Sequence, residues 1–324
     1  MDMQTVIKAP IENESTAFNE YFKGQLKSDV ALLDAALRHV ADGVGKMMRP
    51  MLVMLVAKSV GGVNERTYAA ASAMELLHTA SLVHDDVLDE SDKRRGRQSL
   101  NVKFNNNVAV LTGDYLLSQS LCNAANTGDC RIVNELANLS KSLAGGEILQ
   151  LELMRSGEYC EENYLKVIDE KTASLFVCSC VCGTYSAGGS EELAGQFAEF
   201  GRYVGRCFQI KDDIFDYYDG DIGKPTGSDM REGKITLPAL YVLRESGNPL
   251  LVPIREKLSK GVALDENEIE SLIRISVEEG GMEYAKNRID HYRSKAIELL
   301  PSGIQSELKD SLLAFLEYAI SRNK

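Results

Sequence analysis

The sequence predicts an all-α fold, because apolar residues recur at helical spacing along almost the whole of its 324 residues. Alternating β-branched runs bounded by turns, which would indicate strands, are scarce. The glycine pairs at 61–62, 188–189 and 280–281 suit positions just beyond the ends of helices. Since no Pro-, Ser- or Gly-rich linker and no change in composition interrupts the chain, we expect a single domain over residues 1–324.

The apolar spacing predicts helices that are mostly long. They cover residues 17–40, 50–60, 65–92, 107–124, 131–155, 161–187, 190–219, 235–246, 266–279, 282–299 and 304–322. Pro50 suits the first position of its helix, which would leave Arg49 in an extended conformation.

Charge and hydropathy exclude several classes of protein. The 48 acidic and 36 basic side chains give a net charge of −12, whereas a nucleic-acid-binding protein needs a basic surface. The longest apolar stretch, Met51 to Ala57, is too short to span a membrane, and the first residues lack the features of a signal peptide. The seven cysteines include no Cys-x-x-Cys pair and suit a reducing compartment. We therefore expect a cytoplasmic protein with no transmembrane segment and no nucleic-acid partner.

Two copies of the pattern apolar-x-Asp-Asp-apolar-apolar-Asp lie near the ends of two predicted helices. The first aspartate cluster comprises Asp85, Asp86 and Asp89, and the second aspartate cluster comprises Asp212, Asp213 and Asp216. Carboxylates at positions i, i+1 and i+4 of a helix lie within about 100° of one another and repel. The dipole at a helix C-terminus increases this repulsion. Mg²⁺, which joins carboxylates to substrate phosphates, would relieve it. One such cluster could be a solvated helix end, but two in matching apolar context favour a metal site.

Basic residues accompany both clusters, as a site for phosphate groups requires. They are Lys46, Arg49, Arg94, Arg95, Lys224, Arg231 and Lys234. Lys46 and Arg49 precede or begin a predicted helix, and helix N-termini attract phosphate. A basic turn in solvent is the alternative for that segment alone.

Lys171 and His78 are two further candidate ligands of an anion. Lys171 falls within an apolar stripe, where a lysine is costly unless it meets an anion. Its alternative is a structural ion pair with a buried carboxylate. His78 lies two helical turns before Asp85 on the same face, although a single histidine on a helix is usually structural.

A collinear series of segments strongly resembles the trans-isoprenyl diphosphate synthases, also called polyprenyl synthetases. From Gly45 to about Leu240 they read GKMMRP, ELLHTASLVHDDVLDESDKRRG, GDYLL, KTASLF, FQIKDDIFD, GKPTGSD and EGKITLP. The resemblance implies a bundle of long helices around a central cavity, usually as a homodimer. It implies an enzyme that condenses isopentenyl diphosphate with an allylic diphosphate, head to tail and in trans. Mg²⁺ is the implied cofactor, with about three ions when substrate is bound.

The resemblance also assigns roles to individual residues. Both aspartate clusters would bind Mg²⁺ on the allylic diphosphate, and together with Lys171 they would carry catalysis. The isopentenyl diphosphate site would comprise Lys46, Arg49, His78 and Arg95. The allylic diphosphate site would comprise Arg94, Lys171, Thr172, Gln209, Lys224 and Lys234.

Small residues precede the first aspartate cluster, and in the family bulky residues near this point stop chain growth early. Ala80 and Ser81 are both small, and the segment after the cluster resembles long-chain members of the octaprenyl type. We therefore expect a long-chain product, such as the precursor of a quinone side chain. Growth could instead end deeper, at Leu77, at Met74 or on the helix of residues 113–121.

Four other functions are compatible with parts of the sequence. A shorter-chain farnesyl or geranylgeranyl diphosphate synthase would carry the same motifs. A non-catalytic subunit of a heteromeric synthase should have lost aspartates or basic residues that this chain keeps. A di-iron protein needs Glu-x-x-His twice, and only Glu75 to His78 matches. A terpene cyclase or head-to-head synthase would not need the second diphosphate site that Arg49 and Arg95 would supply.

Overall fold

The computed structural model describes residues 2–43, 45–218 and 226–321. Within them the chain is mainly α-helical with almost no strand, which confirms the all-α prediction. The strands found in these residues are a short antiparallel hairpin of Lys93–Arg94 and Arg97–Gln98. None of the described helices combines the length and the apolar composition that crossing a bilayer requires.

The helices are labelled α1 to α17 in chain order. They are Met3–Lys8, Glu12–Gln25, Ala31–Asp42, Met48–Val60, Glu65–Leu88, Leu100–Lys103, Asn106–Asn126, Cys130–Ser156, Glu161–Ile168, Ser174–Ser186, Glu191–Phe215, Ser228–Arg231, Leu237–Glu245, Leu251–Leu258, Glu266–Glu278, Gly281–Leu299 and Ser306–Ser321.

The helix predicted over residues 17–40 is two helices, α2 and α3. The turn between them is held by local side chains: the Ser28 hydroxyl accepts from the Val30 amide, and Asp34 accepts from the Ser28 amide at 3.4 Å. Serine and aspartate compete with helical hydrogen bonds in this way. The helix α14, Leu251–Leu258, was not predicted at all.

The start of α4 differs from the prediction. The helix begins at Met48, so Arg49 is helical and the extended conformation expected for it is wrong. Met47 takes a left-handed conformation, with φ of 52°, and begins the helix as its N-cap. Pro50 then occupies the first turn, where its missing N–H costs no intrahelical hydrogen bond.

The chain divides into two compact units. Unit 1 comprises Met1–Ser140, Leu175–Ala198 and Leu300–Phe315, and unit 2 comprises Lys141–Ser174, Glu199–Leu299 and Leu316–Lys324. The single domain expected over residues 1–324 stays a prediction.

In unit 1, the long helix α5 packs against α4 and α7. It begins with a capping box, in which Asn64 and Thr67 exchange side-chain and backbone hydrogen bonds. The Ser120 hydroxyl of α7 donates to the Ala73 carbonyl of α5 at 2.7 Å. This packing holds α5, whose C-terminal end carries the first aspartate cluster.

In unit 2, the part of α11 after residue 198 buries Phe200, Val204, Cys207, Ile210 and Ile214. Their spacing of three and four residues makes one apolar face. The helix α13 packs against α15 and α16. The second aspartate cluster lies at the C-terminal end of α11, on a helix anchored by this face.

Candidate active site

The first aspartate cluster lies at the C-terminal end of α5 in unit 1. Asp86 is buried, and its Oδ1 accepts from Arg94 Nε at 2.9 Å and from Arg94 Nη2 at 2.5 Å. Asp85 is half-buried and Asp89 is exposed as the C-cap of the helix. The helix ends before the predicted residue 92 because Glu90 takes a φ of 50°. Asp85 and Asp89 are therefore the more accessible carboxylates, and Arg94 contacts Asp86.

The hairpin after α5 places Arg95 beside Gly43 and Gly45. The Arg95 Nη1 donates to the Gly43 carbonyl at 2.8 Å. A Cβ added to Gly45 would lie 2.7 Å from the guanidinium carbon of Arg95, which is closer than van der Waals contact allows. Gly45 therefore leaves the space that the guanidinium occupies. Arg49 lies over the ring of Phe176, at 5.5 Å from its centroid, and Lys46 is exposed.

His78 and Glu75 lie one turn apart in the buried part of α5. Burial, and then the positive charges of Arg49, Arg95 and Arg94, hold the pKa of His78 well below its usual range, so the imidazole is neutral. Its Nδ1 is buried and meets no hydrogen-bond partner among the described residues.

Glu75 is a buried carboxyl that sequence reasoning did not assign to the site. Burial raises its pKa to about 7, although Arg49 and Arg95 act in the opposite direction. The available signal was its spacing of three residues before His78. That spacing also matches half of a di-iron motif.

The second aspartate cluster lies at the C-terminal end of α11 in unit 2. Asp213 is buried, and its Oδ2 accepts from the Tyr164 hydroxyl at 2.6 Å while its Oδ1 accepts from Gln209 Nε2 at 2.7 Å. Burial, and then the negative charge of Asp229, raise the pKa of Asp213 to about 7. Tyr164 was missed by sequence reasoning, because it lies outside the segments that carry the family resemblance.

The last carboxylate of this cluster, Asp216, binds the chain segment that begins α12. Its Oδ1 accepts from the Ser228 amide at 2.9 Å and from the Ser228 hydroxyl at 2.8 Å, and its Oδ2 accepts from the Asp229 amide at 3.1 Å. Asp212 is half-buried. Both carboxylates are half-buried, and Asp216 organises the backbone that follows it.

A cavity of about 200 Å³ in unit 2 brings together most of the residues predicted for the allylic diphosphate. Its lining includes Lys171, Thr172, Gln209, Lys234 and Asp213. Apolar residues of α8 and α9 complete the wall. Lys224, predicted for the same site, lies outside the described residues.

Lys171 lies in a π-helical segment, Asp169–Ala173, between α9 and α10. Its Nζ contacts Glu147 Oε1 at 2.6 Å and donates to Gln150 at 3.0 Å, so the ion pair considered as an alternative is present, with a carboxylate that is partly exposed. A Cβ on Gly146 would lie 2.8 Å from the Lys171 Cγ. π-Helical turns occur frequently at functional sites.

The residues predicted to set chain length lie on α5. Ala80 and Leu77 are buried, each 2% exposed, while Ser81 is half-buried and donates to the His78 carbonyl at 2.9 Å. Ala80 is therefore the small side chain in closely packed surroundings, one turn before the first aspartate cluster.

The carboxylates fit Mg²⁺ in the way that phosphate-bound Mg²⁺ is usually held. Among the described residues, no three His, Cys, Asp or Glu side chains converge as a ready-made metal cage. Mg²⁺ typically keeps several waters and uses one or two carboxylates together with substrate phosphates. Asp85, Asp89 and Asp212, which are exposed or half-buried, offer hard oxygen donors of that kind.

Comparisons with known proteins show which family this chain resembles. Residues 30–274 match the polyprenyl synthetase family. The octaprenyl diphosphate synthase of Haemophilus influenzae is 35% identical over 307 residues, covering 94% of this chain and 93% of that protein. The solved geranylgeranyl pyrophosphate synthase of Bacteroides thetaiotaomicron has a TM-score of 0.84 at 42% identity, covering 99% of this chain and 100% of that one. The polyprenyl synthase of Caulobacter crescentus, solved with calcium and isoprenyl diphosphate, has a TM-score of 0.88 at 29% identity over 98% of both chains.

The fold and the comparisons define a trans-prenyltransferase. Because the family match covers most of the sequence, the chain belongs to the polyprenyl synthetase family, and the resemblance read from its motifs is confirmed.

Proposed function

We propose that the protein condenses isopentenyl diphosphate with an allylic diphosphate, head to tail and in trans, and that the reaction requires Mg²⁺. The observation that carries this proposal is the cavity of unit 2, where Lys171, Thr172, Gln209 and Lys234 lie beside Asp213. Cationic and hydrogen-bonding groups around a carboxylate suit a diphosphate that arrives with divalent cations. Family membership supports the same chemistry.

Both aspartate clusters serve the allylic diphosphate in this proposal. Bound Mg²⁺, about three ions with substrate, would neutralise charge on the departing pyrophosphate. Asp85, Asp89 and Asp212 supply accessible oxygen ligands, while Asp86, Asp213 and Asp216 hold neighbouring groups in place. Arg94 neutralises Asp86, and Lys171 and Lys234 provide positive charge beside the phosphates.

The isopentenyl diphosphate site is formed by Lys46, Arg49, Arg95 and His78 of unit 1. Arg95 is kept in place by Gly43 and Gly45. The neutral imidazole of His78 supplies a hydrogen-bonding group among cations without adding repulsion. The C–O bond to pyrophosphate breaks, the double bond of isopentenyl diphosphate attacks the allylic carbon, and a proton is lost to the released pyrophosphate. No protein nucleophile is needed.

The direct test is incubation with labelled isopentenyl diphosphate, farnesyl diphosphate and Mg²⁺, followed by chromatography of the products. We expect a ladder or single band of prenyl diphosphates longer than the primer, and no product after chelation of Mg²⁺. Unchanged primer in the presence of both substrates and Mg²⁺ would overturn the proposed function.

We propose a long-chain product, because Ala80 is small and buried one turn before the first aspartate cluster. The octaprenyl relative supports this choice. A shorter-chain synthase is the second candidate, since the structure at 42% identity is a geranylgeranyl pyrophosphate synthase. The length of the product formed from farnesyl diphosphate decides between them.

Replacing Ala80 with phenylalanine should shorten the product, because the added ring would take up volume one turn before the first aspartate cluster. The packed surroundings also predict a loss of about 1–3 kcal/mol of stability. Product chromatography gives the length, and urea unfolding gives the stability. A product of unchanged length from a folded variant would place the end of chain growth elsewhere, at Leu77, Met74 or on α7.

We also propose that the protein is a homodimer. On α7 the apolar side chains of Leu111, Leu121 and Val110 are 66%, 46% and 40% exposed. Covering such residues with a second copy would remove apolar surface from water. Light scattering should give the mass of two chains, and a monomer at micromolar concentration would reject the dimer.

A further inference from the structure

Four side chains of unit 2 form a continuous hydrogen-bonded chain along the cavity. The Tyr164 hydroxyl donates to Asp213 at 2.6 Å, Gln209 Nε2 donates to Asp213 at 2.7 Å, and the Thr172 hydroxyl donates to Gln209 Oε1 at 2.6 Å. The residues come from α9, α11 and the π-helical segment. All four line the cavity that holds the proposed allylic diphosphate residues.

The hydrogen bonds of this chain all run toward Asp213. Gln209 donates to it through its amide nitrogen. The amide oxygen of Gln209 then faces Thr172, whose hydroxyl must donate. Tyr164 occupies the other oxygen of Asp213 and so limits the rotation of the carboxylate. Gln209 and Thr172 are thereby held in one orientation.

Tyr164 is buried, at 9% exposure, as is Asp213 at 4%. A hydrogen bond from a neutral donor to a buried carboxylate is among the stronger ones in proteins. Tyr164 does not touch Lys171 or Thr172 through any hydrogen bond that the structure gives, so its influence on them passes through Asp213 and Gln209.

We propose that Tyr164 is a positioning residue for the allylic diphosphate site, acting through Asp213 and Gln209 on the hydroxyl of Thr172. This inference rests on the proposed function, because it assumes that the cavity of unit 2 receives the allylic diphosphate. The residues proposed for isopentenyl diphosphate lie in unit 1 and take no part in the chain of hydrogen bonds.

The test is Tyr164→Phe, which removes the hydroxyl and keeps the ring. The KM for farnesyl diphosphate should rise about tenfold, since hydrogen bonds to charged groups contribute on that scale. The KM for isopentenyl diphosphate should stay within about twofold of the wild-type value. Calorimetric binding of a thiolo analogue of farnesyl diphosphate should weaken by the same factor, which gives a readout independent of turnover.

Tyr284→Phe is the matched control. The Tyr284 hydroxyl donates to Glu161 Oε2 at 2.5 Å, so this variant also removes a phenol-to-carboxylate bond at α9, between two residues that are not among those lining the cavity. Its KM for either substrate should stay within about twofold of wild type. If Tyr284→Phe raised the KM for farnesyl diphosphate as much as Tyr164→Phe, the effect would be structural and the proposal would be wrong.

A double-mutant cycle with Thr172→Val tests whether the chain transmits the effect. In the Thr172→Val background, Tyr164→Phe should change the KM for farnesyl diphosphate far less than it does in wild type. Fully additive effects would overturn the proposal, as would an unchanged KM in Tyr164→Phe alone. A wild-type protein that forms no prenyl product would instead reject the proposed function, so the two failures are distinguishable.

Discussion

The two aspartate clusters share one sequence pattern but hold their buried carboxylates in different ways. In unit 1, Asp86 meets the full positive charge of Arg94. In unit 2, Asp213 meets two neutral donors, Tyr164 and Gln209. A guanidinium cancels the carboxylate charge, whereas neutral donors stabilise it without cancelling it. Burial and the negative charge of Asp229 raise the pKa of Asp213 to about 7, so we expect its ionised form to depend on bound cations.

The last carboxylates of the clusters differ as well. Asp89 is exposed at the end of α5, while Asp216 receives the backbone of Ser228 and Asp229. Asp89 is thus an exposed carboxylate that can bind a metal ion, whereas Asp216 organises the segment that follows it. The comparison shows that an Asp-Asp-x-x-Asp pattern does not by itself give each aspartate the same task.

The largest expected effect comes from removing one accessible carboxylate of each cluster. Asp85→Ala and Asp212→Ala should each lower kcat by about a hundredfold to a thousandfold, because each loses part of the charge stabilisation of the leaving pyrophosphate. Initial rates with labelled isopentenyl diphosphate give the effect, and circular dichroism should show an unchanged helical fold. Near-normal turnover in either variant would exclude that cluster from catalysis.

The next effect concerns the buried carboxyl of unit 1. The pKa of Glu75 in the folded protein is about 7, above the value of 4.5 for a free glutamate, so between these pH values the native state binds a proton that the unfolded state lacks. The stability that this proton provides is fully present below about pH 4.5 and is lost as the pH rises through 7. The Glu75→Gln variant cannot ionise here, so its free energy of unfolding should not show this loss of about 3 kcal/mol.

Urea unfolding of wild type and Glu75→Gln at pH 5 and pH 8 measures this difference directly. The variant should gain relative stability at the higher pH. Glu283→Gln, at an exposed position of α16, serves as the control and should follow the wild-type protein. Parallel pH dependence in wild type and Glu75→Gln would show that Glu75 ionises as it does in water.

The smallest expected effects are changes in KM that differ between the two substrates. A Cβ at Gly45 would displace the Arg95 guanidinium, and a Cβ at Gly146 would displace the Lys171 side chain. Gly45→Ala should raise the KM for isopentenyl diphosphate alone, by about threefold to tenfold. Gly146→Ala should raise the KM for the allylic substrate alone, by a similar factor. Gly145→Ala, where a Cβ would meet nothing within 4 Å, is the control. An equal rise for both substrates in either variant would contradict the assignment of separate sites.

The sequence was most informative where a property repeats along the chain. Helical periodicity predicted the all-α fold, and the motifs predicted five residues that line one cavity of unit 2, namely Lys171, Thr172, Gln209, Asp213 and Lys234. Such patterns can be recognised in a single sequence because each depends on the spacing of nearby residues. The start of α4 and the break between α2 and α3 were not predicted, because they depend on the conformations of single residues such as Met47.

Partners that are distant in sequence were the main omission. Tyr164 and Asp213 are 49 residues apart, and nothing local in the sequence indicates that they meet. Glu75 was visible as a carboxyl near His78, but its burial beside two arginines depends on tertiary packing. The ion pair of Lys171 with Glu147 was considered, although its partner could not be named from the sequence.

We propose that both aspartate clusters bind Mg²⁺ together with an allylic diphosphate. The most direct measurement is calorimetric titration of Mg²⁺ into the protein saturated with the thiolo analogue of farnesyl diphosphate. We predict about three ions bound per wild-type chain, and fewer in both Asp85→Ala and Asp212→Ala. An unchanged number of bound ions in either variant would contradict the claim.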